Sequence, residues 1–115
     1  MMSFNSYGEW KLMNEDSGGI KNYIDIDRIK VSGNVYYWTL TDYLKPDKYG
    51  DLSAKLLYES DCNLPEKRRV LSQLYYTQPM GQGATSSTSN KVQEWRYPTP
   101  SSSGQYINDY ACYLR

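Results

Sequence analysis

Few residues in this chain have types and spacings suited to chemistry. There is no histidine, so the side chain that ordinarily titrates near neutral pH is missing, and with it every triad that uses one. Paired carboxylates remain. Glu59 and Asp61 alternate onto one face of a strand, and Asp25 and Asp27 stand two apart. Two carboxylates held about 5–10 Å apart across a sugar can hydrolyse a glycosidic bond. The simpler reading is a solvated outer face for the first pair and a strand-ending turn for the second. Asp47 and Asp51 lack the ligand pattern of a calcium loop. Gly81 and Gly83 open no helix signal and so form no phosphate cradle. The chain is therefore read as a non-enzyme, with no metal and no cofactor.

Two features point to binding instead. Lys67-Arg68-Arg69 could attract a sulfated glycan or an acidic partner. On a strand, however, the three alternate between faces, and charges on a sheet edge also serve to discourage aggregation. The second feature is 13 Tyr beside 3 Trp and 1 Phe. Tyr23, Tyr37, Tyr43, Tyr49, Tyr75 and Tyr97 fall on faces or loops that the core does not claim, and exposed aromatic rings are common anchors of protein interfaces. A tyrosine-rich core in a thin sheet is the competing reading. The candidate partner-binding set is Tyr23, Tyr37, Tyr43, Tyr75, Lys67, Arg68 and Arg69.

The elements that must position these residues read mainly as strands. Trp10 and Leu12 share one face of a first strand over 7–13, and a turn follows over 15–19. Ile20, Asn22, Ile24 and Ile26 alternate with Lys21, Tyr23 and Asp25 in a second strand, which breaks at Asp27-Arg28. Ile29–Val31 leads into the hairpin signal Ser32-Gly33-Asn34. The clearest strand is Val35–Leu44, with Tyr36, Trp38 and Leu40 on one face and Val35, Tyr37, Thr39 and Thr41 on the other. In the next strand Leu52, Ala54, Leu56, Tyr58, Ser60 and Cys62 take the core face, and Ser53, Lys55, Glu59 and Asp61 the opposite one. Arg68, Val70, Leu74 and Tyr76 return along another strand. Residues 78–90 have little to bury and read as a mobile loop, and 92–97 as a short last strand centred on Trp95.

The tail changes period. Ser102 and Gln105 match a capping box, and Tyr106, Ile107, Tyr110, Ala111 and Leu114 form one helical stripe. Cys112 falls off that stripe on an ideal wheel. The cysteines, Cys62 and Cys112, cannot form a zinc site without histidine. They are either buried thiols or a disulfide that closes a loop of about fifty residues, worth roughly 4 kcal/mol.

With 115 residues the chain has room for one domain, assigned to 7–115, with 1–6 as a disordered leader remnant. The 13 basic and 13 acidic residues balance, which disfavours nucleic acid, because phosphate neutralisation drives such binding. No apolar run approaches the roughly 20 residues that span a bilayer, and Met1-Met2-Ser3-Phe4 is too polar for a signal peptide, so either the protein stays in the cytoplasm or a leader has been removed.

Taken in order, a set of residues resembles the bacterial surface-adhesin protein E family. It comprises Trp10, Tyr23-Ile24-Asp25, Ile29, Gly33, Val35, Trp38, Asp42-Tyr43, Ser53, Asp61-Cys62, Arg69-Val70-Leu71, Pro79-Met80-Gly81, Trp95, Pro100-Ser101 and Cys112. Ile26 stands where that family leads one to expect proline. The resemblance implies an α+β, mainly β fold: an antiparallel sheet of about six strands with a C-terminal helix held on one face by a Cys62–Cys112 disulfide. It also implies export to the periplasm, outer membrane or cell surface, often with a lipid anchor on the precursor. The implied function is non-catalytic binding of a protein partner such as host extracellular matrix. The alternative is a structural or accessory envelope protein without a host ligand. A free strand edge would permit homodimerisation by strand addition.

Overall fold

The computed structural model describes residues 9–114; the leader expected over 1–6 lies outside them. Its strands are β1 (Trp10–Glu15), β2 (Lys21–Asp25), β3 (Lys30–Ser32), β4 (Asn34–Asp42), β5 (Ser53–Asp61), β6 (Lys67–Tyr76) and β7 (Thr85–Ser89). A 3₁₀ turn at Pro79–Gly81 precedes β7, and helix α1 (Ser103–Leu114) closes the chain. All pairings are antiparallel, in the order β1-β2-β4-β5-β6-β7. β2 and β3 share one side of β4, pairing with its second and first halves. The break between them is made by the two aspartates: Asp25 Oδ1 accepts the Asp27 amide at 3.1 Å, and Asp27 Oδ2 accepts the Glu9 amide at 3.0 Å. This pair is a turn device, as its spacing suggests.

Register assigns the faces. Val35, Tyr37 and Thr39 of β4 stand opposite Ser60, Tyr58 and Leu56 of β5, and Ile24 of β2 lies opposite Thr39. On this face α1 lays down Ile107 and Ala111, and with Met13, Ile24, Val35 and Tyr37 they form the core cluster. Ser102 caps the helix: its Oγ accepts the Gln105 amide at 3.1 Å, while Gln105 Oε1 reaches back to the Ser101 amide at 2.8 Å. The buried helical residues are Ile107, Asn108, Ala111 and Cys112, whereas Tyr106 and Leu114 are exposed. The buried stripe is thus rotated from the purely apolar one, because Asn108 and Cys112 each have a partner beneath the helix. Cys112 is bonded to Cys62, just past the end of β5, with the two Cα atoms 5.8 Å apart.

Asn108 meets Tyr37. The Tyr37 hydroxyl donates to Asn108 Oδ1 at 2.7 Å and accepts from Arg68 Nη1 at 3.2 Å. Its ring stacks on Tyr58 with centroids 5.4 Å apart. Tyr37 is fully buried, which corrects its assignment to an uncommitted, partner-binding face. Burial is the main cause that pushes its phenol far above the ordinary tyrosine range.

The opposite face is covered as well. Leu40 and Lys55 lie beneath the 3₁₀ turn, where a Cβ on Gly81 would strike the Lys55 side chain. Gly81 also has φ 63°, so both space and backbone call for glycine there. The turn is pinned by Ser53 Oγ, which accepts the Gly81 amide at 2.8 Å, and by Asp42 Oδ1, which accepts the Met80 amide at 2.8 Å. The Lys55 ammonium sits 5.0 Å from the Tyr76 ring centroid and 6.0 Å from that of Trp10. Burial, followed by the Arg28 charge, lowers its pKa. Lys55 and Glu59, expected opposite the core, are therefore buried.

Two further readings are corrected. The supposed mobile loop over 78–90 contains the turn and β7, whose Ser and Thr side chains need no burial because its backbone bonds to β6. The last strand over 92–97 reduces to one bridge, Arg68 to Arg96, and a bond from the Gln93 amide to Val70. Proline at 98 follows immediately and cannot extend a ladder.

Two outcomes follow from the helix seam. Reduction of Cys62–Cys112, a bridge across 50 residues, should lower unfolding free energy by about 4 kcal/mol in urea titrations. Tyr37→Phe should cost about 1–3 kcal/mol, because it strips partners from Asn108 and Arg68 together; equal urea midpoints for the variant and the parent would contradict the seam's role.

Candidate partner-binding surface

The structure distributes the sequence candidates over both faces. A bulge at Leu71 sets the basic triplet: Ser72 pairs with Leu57 but Val70 with Tyr58, so side-chain alternation along β6 is inverted beyond it. Arg68 consequently turns toward the helix face, its guanidinium 4.1 Å from the Tyr58 ring centroid. Lys67 and Arg69 turn the other way and flank Trp95, at 5.3 and 4.4 Å from the ring centroid. β6 is no edge strand, since β7 and the Gln93–Arg96 segment bond along its outer side.

Arg69 is also committed to Glu59. Its Nη2 and Nε both lie 2.8 Å from Glu59 Oε1, while Asn34 Nδ2 and the Tyr36 hydroxyl donate to Oε2 at 2.8 and 3.2 Å. Burial alone would raise this carboxyl's pKa; the bonds from Asn34, Arg69 and Tyr36 outweigh burial and hold it below the usual glutamate range. A general acid needs the reverse shift. Asp61 accepts the Asn63 amide at 3.0 Å and shapes the turn after β5.

The tyrosines separate too. Tyr23 stands opposite Leu40 and Leu12, on the face away from the helix. Tyr43, just past β4, and Tyr75, in β6, converge with Tyr49, Asp47, Asp51, Ser86 and Ser87 around an open groove of about 560 Å³. Asp47 orders the loop that supplies Tyr49: its Oδ1 accepts the amides of Tyr49 at 2.8 Å and Asp51 at 3.0 Å. Asp51 is buried and accepts the Ser86 hydroxyl at 2.6 Å, which ties this loop to β7. Tyr75 donates to Gln73 Oε1 at 2.7 Å. Both phenols are held above their usual range, first by burial; Tyr43 then feels Tyr75, and each feels Asp47 and Asp51. Tyr49 is 75% exposed. The aspartates and serines of this groove were not among the sequence candidates. Pro46 and Gly50 mark the loop in the sequence and two aspartates stand close in it, whereas the serines belong to the stretch read as structureless.

The class of protein that these features define is a small α+β domain whose helix is covalently pinned to an antiparallel sheet. The family model for surface-adhesin protein E matches residues 10–113, so the chain belongs to that family. No curated protein and no solved structure matches it. Membership gives the chain a surface-adhesin role in the broad sense, and points to a non-enzymatic protein that binds a protein partner. With the disulfide, it fits an exported, cell-surface protein. No helix among the described residues is long and apolar enough to cross a membrane.

The Glu59 cluster has a testable acid limb. A carboxylate with a lowered folded pKa contributes stability above its unfolded pKa and loses it as pH falls through the folded value. Glu59→Gln should therefore cost about 2 kcal/mol at pH 7 and flatten the decline in stability below the glutamate range. Melts of both proteins from pH 7 down to pH 3 report this directly, and parallel curves would show that Glu59 carries none of it.

Proposed function

We propose that this chain is a non-catalytic surface protein that attaches to a host extracellular-matrix protein, and that Tyr43, Tyr49 and Tyr75 supply the contact. The observation that carries this reading is the meeting of those three rings at one groove beside β7, with no basic side chain among the described residues that line it, although the Lys48 ammonium lies 5.1 Å from the Tyr49 ring centroid. Tyrosine gives a large, rigid contact at low entropic cost and keeps a hydroxyl for a partner. Asp47 and Asp51 fix the loop on one side and β7 forms the other, so the rings are pre-positioned before a partner arrives.

The test is binding of the purified, oxidised protein to immobilised extracellular-matrix proteins of serum and basement membrane. The double variant Tyr43→Ala, Tyr75→Ala should bind at least tenfold more weakly, as expected for interface anchors, while its circular dichroism is unchanged. Tyr23→Ala, on the opposite face, should bind as the parent does. Undiminished binding by the double variant would remove the groove from the interface, and failure of the parent to bind any matrix protein would remove the host partner.

A further inference from the structure

A second groove, far from the tyrosine cluster, has the character of an anion site. Arg68 and Arg96 stand directly opposite each other as a hydrogen-bonded antiparallel pair, with reciprocal amide–carbonyl bonds of 2.9 and 2.8 Å. Side chains in such a pair leave on the same face with Cβ atoms about 5 Å apart, and like charges placed so repel. Both arginines line a groove of about 360 Å³ formed by β6, the segment through Tyr97 and Thr99, and the first turn of α1. No carboxylate lines it among the described residues. In a chain with equal numbers of acidic and basic residues, this concentration of positive charge is a local choice.

Arg68 is already in place. The Tyr37 hydroxyl holds one end of its guanidinium and the Tyr58 ring lies beneath it. Gly104 leaves the space it occupies, since a Cβ there would strike Arg68 Nη2. Burial alone would lower the pKa of Arg68; Tyr37, Tyr58 and then Glu66 outweigh it and favour the charged form. Glu66, whose negative charge partly offsets that of Arg68, does not line the groove. Arg96 is exposed. The site does not depend on the helix dipole, since Ser102 already caps the first turn. The remaining lining from Gln93, Tyr97 and Thr99 offers neutral hydrogen-bonding groups and a ring face, the surroundings that a sugar uses. The volume lies near the lower end for small-molecule sites.

We propose that the Arg68–Arg96 groove binds the oxyanion of a sulfate or phosphate ester carried on a glycan. Arg68 acts as the fixed fork, Arg96 as the exposed second cation, and Gln93, Tyr97 and Thr99 meet the sugar. This site is independent of the tyrosine groove and does not require the matrix-binding reading.

The experiment is an amide NMR titration of the intact, oxidised protein with glucose 6-sulfate, glucose 6-phosphate and unmodified glucose. Saturable shifts at Gln93, Arg96, Thr99 and Arg68 are expected with at least one ester and none with glucose. Arg96→Gln should weaken binding about tenfold or more, the loss of one charge-assisted hydrogen bond, and Arg96→Lys should retain part of it. Lys48→Gln makes the same charge change outside the groove and should bind as the parent does. The tighter ester identifies the modification on the glycan. The proposal is overturned by absence of saturable shifts, by parental affinity in Arg96→Gln, or by an equal loss in Lys48→Gln, which would mark unspecific attraction.

Discussion

The Tyr37 hydroxyl lies at the centre of the sheet, under the helix, where water cannot reach it. A buried hydroxyl without a partner costs on the order of 1–3 kcal/mol, so the fold must bring it a donor and an acceptor. Asn108 supplies the acceptor and Arg68 the donor. Those two come from α1 and β6, so one phenol fixes both the rotation of the helix and the face that Arg68 must occupy. The bulge at Leu71 follows from the same demand, since without it alternation along β6 would send Arg68 to the other side. The disulfide then clamps the far end of the helix whose middle Asn108 has already oriented.

A lone sheet has two faces, and here a single helix serves one of them. The second is closed by small devices: the pinned Pro79–Gly81 turn over Leu40 and Lys55, the rings of Trp10 and Tyr76 around the Lys55 ammonium, and Trp95 between Lys67 and Arg69. Long basic side chains do much of the covering, their stems lying on apolar surface while their heads find aromatic rings. Several residues that carried the family resemblance meet in this layer. Met80 and Gly81 lie 38 and 28 residues from Asp42 and Ser53 but are joined to them by direct hydrogen bonds.

These arrangements explain which parts of the molecule were legible in its sequence. Alternation located β1, β2, β4, β5 and β6 closely, and Ser102 with Gln105 marked the start of the helix, because those signals are local. The core face of β5 was harder to read, since period-2 reasoning assumes one wet face and Lys55 and Glu59 are both buried. Tyr37 was misplaced for the related reason that its partners lie 71 and 31 residues away. β7 left no apolar trace because its ladder is a backbone affair. Of the candidate surface, Tyr43 and Tyr75 were named from the sequence, but their convergence depends on the β5–β6 register and on a loop ordered by Asp47. No local pattern reports either.

The Cys62–Cys112 bond has a mechanical side. It joins the end of β5 to the last turns of α1 and encloses β6, β7 and most of the helix within a covalent ring. Tension applied before Cys62 and after Cys112 passes through the sulfur bridge and bypasses that ring. The 50 residues in the ring would otherwise lengthen the chain by about 170 Å when drawn out. Both grooves take residues from inside the ring. Pulled by its two ends, the domain can lose its N-terminal strands while Tyr75, β7, Arg68 and Arg96 stay within a loop that end-to-end tension does not lengthen.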